Sequence, residues 1–74
     1  METNNMITAR EKFSYNMKHL REKKGVTKYQ MSKESSLSYS YLSKLESGEN
    51  GNPSMDVIDI IASYLGVEVY ELFK

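Results

Sequence analysis

Apolar residues in the first part of the chain recur at helical spacing. After Ala9, the residues Phe13, Met17 and Leu20 lie at i, i+4 and i+7 with charged residues between them, which is typical of one buried helix face. The pattern stops at Gly25, directly after two lysines, and a glycine behind a basic last turn commonly ends a helix. We therefore predict a first helix over residues 9–24.

A second, short helix is predicted from Lys28 to Ser35. Thr27 opens the sequence T-x-x-Q with Gln30. This is a capping box, in which the threonine hydroxyl and the glutamine amide each satisfy a backbone N–H group at the start of a helix.

The next stretch, SLSYSYLSK, has two interpretations. Leu37, Tyr39 and Tyr41 alternate with serines, which is the period of a half-buried strand. A strand here has no pairing partner, because the chain contains no second β-rich run with turn signals. The alternative is a third helix that Ser38 caps and that ends before Gly48.

The helical interpretation explains this stretch better. It places Leu42 and Leu45 on one side for packing. The other side then carries the polar and aromatic residues Tyr39, Ser40, Ser43 and Lys44.

Two further helices are predicted after a turn-rich loop at residues 49–53. Ser54 caps the fourth helix, which ends at Gly66. Its apolar stripe consists of Ile58, Ile61, Ala62 and Leu65. A short fifth helix is predicted from the pattern of Val67, Val69, Leu72 and Phe73, although Glu68 occupies the cap position. We expect a flexible arm at residues 1–8 and a compact all-α domain of five helices at residues 9–74.

Charge is distributed unevenly along this 74-residue chain, whose formal net charge is zero. Residues 1–44 hold nine of the ten Lys and Arg residues and four acids, whereas residues 45–74 hold one lysine and six acids. The asymmetry predicts a basic face and an acidic remainder. The alternative is that these charges only solvate helix faces.

Several classes of protein are not expected. There is no cysteine, so disulfides and thiolate metal sites are excluded. No apolar run has membrane-spanning length, and METNNMIT lacks the features of a signal peptide, so we expect a soluble cytoplasmic protein without a membrane partner. No catalytic pair or phosphate-binding glycine loop is present, and His19 has no second ligand at metal spacing. We expect no enzymatic activity, cofactor, metal or small-molecule effector.

The second and third predicted helices, joined by three residues, match the geometry of a helix-turn-helix. The chain also resembles the phage Cro/repressor-like helix-turn-helix domains, the xenobiotic-response-element family of bacterial regulators. The resemblance covers residues 16–73. It rests on L-R-E-x-K-G at the end of the first helix, S-x-x-x-L-S-x-L-E-x-G at residues 38–48, N-P-S at 52–54 and Y-L-G-V at 64–67.

The resemblance implies a lambda-repressor-like fold and specific roles for individual residues. Base contacts are implied for Tyr39, Ser40, Ser43 and Lys44. Phosphate contacts are implied for Thr27, Lys28, Ser38, Asn50 and Asn52. Glu46 is implied to hold the fold together, with Arg21 as its expected partner.

Each of these residues also has a structural explanation. Tyr39 or Tyr41 can pack against neighbouring helices, and Lys44 can pair with Glu46 or Glu49. The lysines at 18, 23 and 24 can form a solvated helix face, and His19 is expected to be an ordinary surface residue.

The chain departs from the family pattern in two places. Ser36 stands in the turn where the family usually has glycine, which predicts an altered turn or about 1 kcal/mol of strain. The loop at residues 49–52 has no basic residue, which predicts fewer phosphate contacts and a shallower salt dependence of binding.

The leading functional interpretation is a DNA-binding transcriptional regulator, expected to be a repressor that binds double-stranded DNA as a homodimer. Its expected dimer surface consists of Tyr64, Val69, Tyr70 and Phe73. The alternative is a protein-interaction module or antitoxin-like partner with weak or no DNA binding, which the zero net charge favours. The regulator requires basic residues near the third helix, namely Arg10, Lys18, Lys28 and Lys44.

Overall fold

Four α-helices and a C-terminal 3-10 helix make up the fold, as described by a computed structural model for residues 8–49 and 52–74. The α-helices are α1 (Ala9–Lys24), α2 (Lys28–Ser35), α3 (Tyr39–Ser47) and α4 (Met55–Leu65), and the 3-10 helix is Val69–Phe73. The stretch SLSYSYLSK is a turn followed by a helix, and the described residues contain no strand. The all-α prediction is confirmed.

The helices begin where side-chain hydroxyls can accept backbone hydrogen bonds. The hydroxyls of Thr27, Ser38 and Ser54 accept from the N–H group three residues further on, at 3.0, 3.0 and 3.2 Å. Thr8, which we expected to end the flexible arm, caps α1 in the same way, and its own N–H donates the reciprocal bond to the Glu11 carboxylate. The rest of the predicted arm, residues 1–7, lies outside the described residues.

The predicted capping box of α2 forms only in part. The Thr27 hydroxyl accepts from the backbone N–H of Gln30 as expected. The Gln30 side chain does not accept the reciprocal bond from the Thr27 N–H, and its Nε2 donates to Glu34 at 3.3 Å. A carboxylate one helical turn away provides a charge-assisted partner.

The turn between α2 and α3 contains a strained residue. Ser36 has φ 70° and ψ 9°, the left-handed conformation, and it is the one described residue other than glycine with a positive φ. Its N–H donates to the Ser32 carbonyl at 3.1 Å and so ends α2. The Cβ of a serine makes this conformation costly by about 1–2 kcal/mol, as the departure from the family pattern predicted.

The core lies where all five elements meet. It consists of Phe13, Met17, Met31, Leu42, Leu45, Ile58, Ile61, Ala62, Leu65 and Leu72. Because every element contributes to this one small cluster, the orientation of each helix depends on the others.

The predicted short fifth helix is present in the tighter 3-10 form. It is a 3-10 helix, with the Glu71 N–H donating to the Glu68 carbonyl three residues earlier, and short terminal segments commonly adopt this tighter form. Leu72 is fully buried, and the Asn16 amide donates to its carbonyl at 3.1 Å. The segment therefore closes the core against α1.

The described residues contain neither a membrane-spanning helix nor a metal-binding cluster. None of their helices combines the length and the hydropathy needed to cross a membrane. Their acidic and histidine side chains also form no cluster that could hold a metal ion.

Candidate nucleic-acid interface

Helix α3 presents a polar face to solvent and an apolar face to the core. Leu42 and Leu45 are 0% and 1% exposed, so the predicted packing face is confirmed. Of the predicted base-reading residues, Tyr39, Ser40 and Lys44 are exposed and Ser43 is half-buried. The helix thus displays these four side chains in positions that its own packing does not require.

A buried ion pair fixes α3 to α1. The Nε and Nη2 atoms of Arg21 donate to the two carboxylate oxygens of Glu46, at 2.7 and 3.1 Å. The hydrogen bond to Glu46 raises the pKa of Arg21 above its ordinary value, although burial opposes this. The Nη1 atom also donates to the Val26 carbonyl at 2.8 Å. The expected pairing is confirmed, and it connects α1, α3 and the loop before α2.

A second bond holds α3 in place and was not predicted. The hydroxyl of buried Ser14 donates to the Leu45 carbonyl near the end of α3, at 2.7 Å. The carbonyls of a last helical turn have no partner within the helix, so this bond satisfies one of them. The only signal in the sequence was a small polar residue beside Phe13.

The starts of α2 and α3 lie side by side. The Nζ atom of Lys28, a predicted phosphate contact, lies 5.6 Å from the ring centre of Tyr39, a predicted base contact. This is within the range of a cation–π interaction, which orients both side chains. Two other predicted phosphate contacts, Thr27 and Ser38, also lie at these helix starts. Their hydroxyls cap α2 and α3.

Some of the basic residues expected beside α3 lie together in one cleft. A cleft of about 180 Å³ is lined by Lys18, Arg21, Lys28, Ser43, Glu46 and Ser47, which brings together two of the four lysine and arginine residues that a regulator requires. Arg10 lines a neighbouring groove with Ser47 and Gly48, at the C-terminal end of α3. Lys44 is exposed and, within the described parts of the chain, forms no ion pair with Glu46 or Glu49.

The loop after α3 is described only in part. Asn50 lies outside the described residues, so its predicted phosphate contact is not located. Asn52 is exposed on the surface ahead of α4.

The four residues predicted to form a dimer surface have different environments. Val69 and Phe73 are half-buried against the core, and the ring of Phe73 stacks on Phe13 at 5.6 Å. Tyr70 is 65% exposed. The fourth residue, Tyr64, is half-buried and binds a residue of α2.

The bond of Tyr64 connects α4 to α2. Its hydroxyl donates to Glu34 at 2.5 Å, and Lys24 lies 5.5 Å from the ring centre. The bond to Glu34 raises the pKa of Tyr64 to about 12. The same bond lowers the pKa of Glu34, with help from Gln30.

Comparisons with known proteins agree with this geometry. The sequence matches the Helix-turn-helix family over residues 17–72. The HTH-type transcriptional regulator SlrR of Bacillus subtilis (strain 168) is 43% identical over 53 residues, which cover 72% of this chain and 35% of that protein. A crystal structure of hypothetical transcription factor NHTF from Neisseria superposes with a TM-score of 0.84 at 28% identity, covering 90% of this chain and 76% of that chain. The chain belongs to the Cro/repressor-like helix-turn-helix family.

Proposed function

We propose that this chain is the sequence-specific DNA-binding domain of a transcriptional regulator and that α3 reads the major groove. The observation that carries the proposal is the outward face of α3, polar and solvent-accessible at the end of a helix pair of helix-turn-helix geometry. Nine helical residues extend roughly 13 Å, which is close to the 12 Å or so of the major groove width. The buried bonds of Glu46 and Ser14 hold this helix in a defined orientation.

The contacts we propose divide into two groups. Base edges would be read by Tyr39, Ser40, Ser43 and Lys44, with the Lys44 ammonium donating to guanine O6 or N7 and the Ser40 hydroxyl pairing with several bases. Backbone phosphates would be bound by Thr27, Lys28, Ser38, Asn50 and Asn52, aided by the positive ends of α2 and α3.

We further propose that the protein acts as a homodimer and a repressor. One recognition helix reaches only a few base pairs, so a two-fold pair of domains on half-sites one helical turn apart provides the usual specificity. The exposed Tyr70, between half-buried Val69 and Phe73, is the centre of the dimer surface that we propose. A bound domain of this size would repress by occupying its site. From the match to the helix-turn-helix family, we also propose a cytoplasmic location and no enzymatic role.

Selection of bound sequences from a random duplex pool near physiological salt tests the proposal. Recovery of one two-fold symmetric sequence is the expected result, with a dimer mass in sedimentation measurements. A Tyr70→Glu variant would shift that mass toward the monomer. Absence of any enriched sequence would contradict the regulator.

A second candidate function is a protein-interaction module. The exposed side of α4 carries Met55 and Ile60, which are 68% and 40% exposed, together with Asp56 and Asp59. Exposed apolar patches with a polar rim mark protein-binding surfaces, and these two side chains among acids would be the centre of such a surface. If no sequence is enriched from the pool, this surface becomes the leading candidate.

A further inference from the structure

We infer that the cleft between α1, α2 and α3 binds one backbone phosphate of DNA and that Lys18 contributes a contact from α1. This inference rests on the proposed function and deepens it. It also changes the role of Ser43 from reading a base to holding the phosphate. We call the site the basic cleft and define it by Lys18, Lys28 and Ser43.

The basic cleft is formed by residues distant in sequence. Lys18 lies in α1, Lys28 begins α2 and Ser43 lies in the middle of α3, yet all three line the same cleft. The Arg21–Glu46 pair forms the adjoining wall. Because this pair fixes α3 to α1, the relative positions of Lys18 and Ser43 are set by the fold.

The net positive charge of the cleft comes from its two lysines. Both carboxylate oxygens of Glu46 accept from Arg21, and the two side chains are 5% and 10% exposed, so this pair neutralises itself. Neither Lys18 nor Lys28 forms an ion pair with any acid in residues 8–49 and 52–74. Two lysines therefore line the cleft without a carboxylate partner among the described residues.

These groups suit an oxyanion. The ammonium groups and the Ser43 hydroxyl can all donate hydrogen bonds, and bonds from charged donors to a phosphate oxygen are the stronger kind. The volume of about 180 Å³ is well above the roughly 10–15 Å³ that one water needs, so one phosphate group fits. The cleft lies directly beside the face that α3 would present to DNA, which identifies the oxyanion as a backbone phosphate.

Ser43 is placed differently from the other predicted base contacts. Tyr39, Ser40 and Lys44 are exposed, whereas Ser43 is half-buried and lines the cleft. A hydroxyl set back in this way reaches a phosphate at the groove edge more readily than a base edge inside the groove. A phosphate contact carries no direct sequence information.

The test compares Lys18→Gln with Lys23→Gln, an exposed lysine on α1 that does not line the cleft. Dissociation constants are measured for the selected operator and for an unrelated duplex at several salt concentrations. Lys18→Gln is expected to reduce the slope of log affinity against log salt by about 1 on both duplexes. Lys23→Gln is expected to keep the wild-type slope, and thermal unfolding checks that both variants are folded.

Three results would overturn the inference. The first is a wild-type slope in Lys18→Gln. The second is a loss confined to the operator, which would make Lys18 a base contact. The third is a Ser43→Ala variant that loses preference at one base pair instead of binding all duplexes more weakly. A wild-type chain that binds no duplex would overturn the proposed function as well, so the two failures are distinguishable.

Discussion

At the scale of single residues, the Arg21–Glu46 pair shows how a charged group is used inside a small core. A buried pair contributes little net stability compared with a well-packed apolar pair, because both ions lose hydration. Its contribution here is geometric, since Arg21 also binds the Val26 carbonyl ahead of α2. One side chain therefore relates the two helices of the proposed DNA-binding unit to α1.

Removal of one member of the pair is expected to be costly. Glu46→Ala leaves a buried guanidinium without its carboxylate partner, so we predict a loss of about 3–5 kcal/mol in the free energy of unfolding. Such a loss leaves much of the variant unfolded without denaturant, which circular dichroism and urea denaturation would show. Glu49→Ala, at an exposed position, provides the control and is expected to change stability by no more than about 0.5 kcal/mol. Equal effects of the two substitutions would show that the pair does not stabilise the fold.

The Tyr64–Glu34 bond predicts a pH dependence at both extremes. The pKa of Tyr64 is raised to about 12, so its stabilising effect is complete below its ordinary pKa of about 10 and is lost as the pH rises toward 12. The pKa of Glu34 is lowered, so its contribution is present above its ordinary value and is lost as the pH falls through the lowered pKa.

We therefore predict that wild type is slightly more stable than Tyr64→Phe near neutral pH and that this advantage shrinks in acid and in strong alkali. Urea midpoints measured across the pH range test this. Tyr70→Phe is the control, because the Tyr70 hydroxyl makes no hydrogen bond to the described residues. An advantage that is independent of pH would contradict the assigned bond.

At the scale of elements, helix boundaries were predictable because they depend on local chemistry. Thr27, Ser38 and Ser54 cap their helices through bonds to residues only three positions away, and such bonds can be inferred from sequence. The bond from Gln30 Nε2 to Glu34 was not predictable, because it depends on the rotamer that the exposed Gln30 side chain adopts. The 3-10 form of residues 69–73 was missed because the apolar spacing of so short a segment does not distinguish the two helix types.

The turn between α2 and α3 provides a test of local strain. Ser36→Gly removes the Cβ that makes φ 70° costly, and we predict a gain of about 1 kcal/mol or less, because glycine also increases the entropy of the unfolded chain. Ser63→Gly, at an exposed position inside α4, is expected to lower stability by about 0.5–1 kcal/mol. Urea denaturation measures both, and a loss in Ser36→Gly would contradict the strain.

At the scale of the whole molecule, stability depends on a core to which the chain's last residues contribute. A domain of this size has a small margin of stability, of about 3–5 kcal/mol. Leu72 is fully buried although it lies two residues from the end of the described chain. The 3-10 helix therefore contributes a fully buried side chain to the core, as each α-helix does.

Leu72→Ala tests this dependence. We predict a loss of about 2–5 kcal/mol from the cavity it creates, enough to leave much of the protein unfolded at room temperature. The matched truncation Met55→Ala removes an apolar side chain that is 68% exposed and is expected to have little effect. Circular dichroism during thermal unfolding compares the two, and similar melting temperatures would contradict the role of Leu72.

The basic face was predictable only in outline. The excess of Lys and Arg in residues 1–44 predicted that such a face exists. Its composition depends on how α1 crosses α3, which core packing determines. Sequence alone therefore could not place Lys18 in one cleft with Ser43, or Arg10 in the neighbouring groove at the C-terminal end of α3. The face of α3 was predictable because a single helical period determines it.

The central claim is that the exposed face of α3 reads DNA sequence, and Lys44 tests it most directly. Random-pool selection is run in parallel with wild type and Lys44→Ala, and affinities are measured on the wild-type operator. We predict that Lys44→Ala remains folded, loses about 1–3 kcal/mol of specific affinity and loses base preference at one position in each half-site. An unchanged affinity and an unchanged selected sequence would contradict base reading by this face.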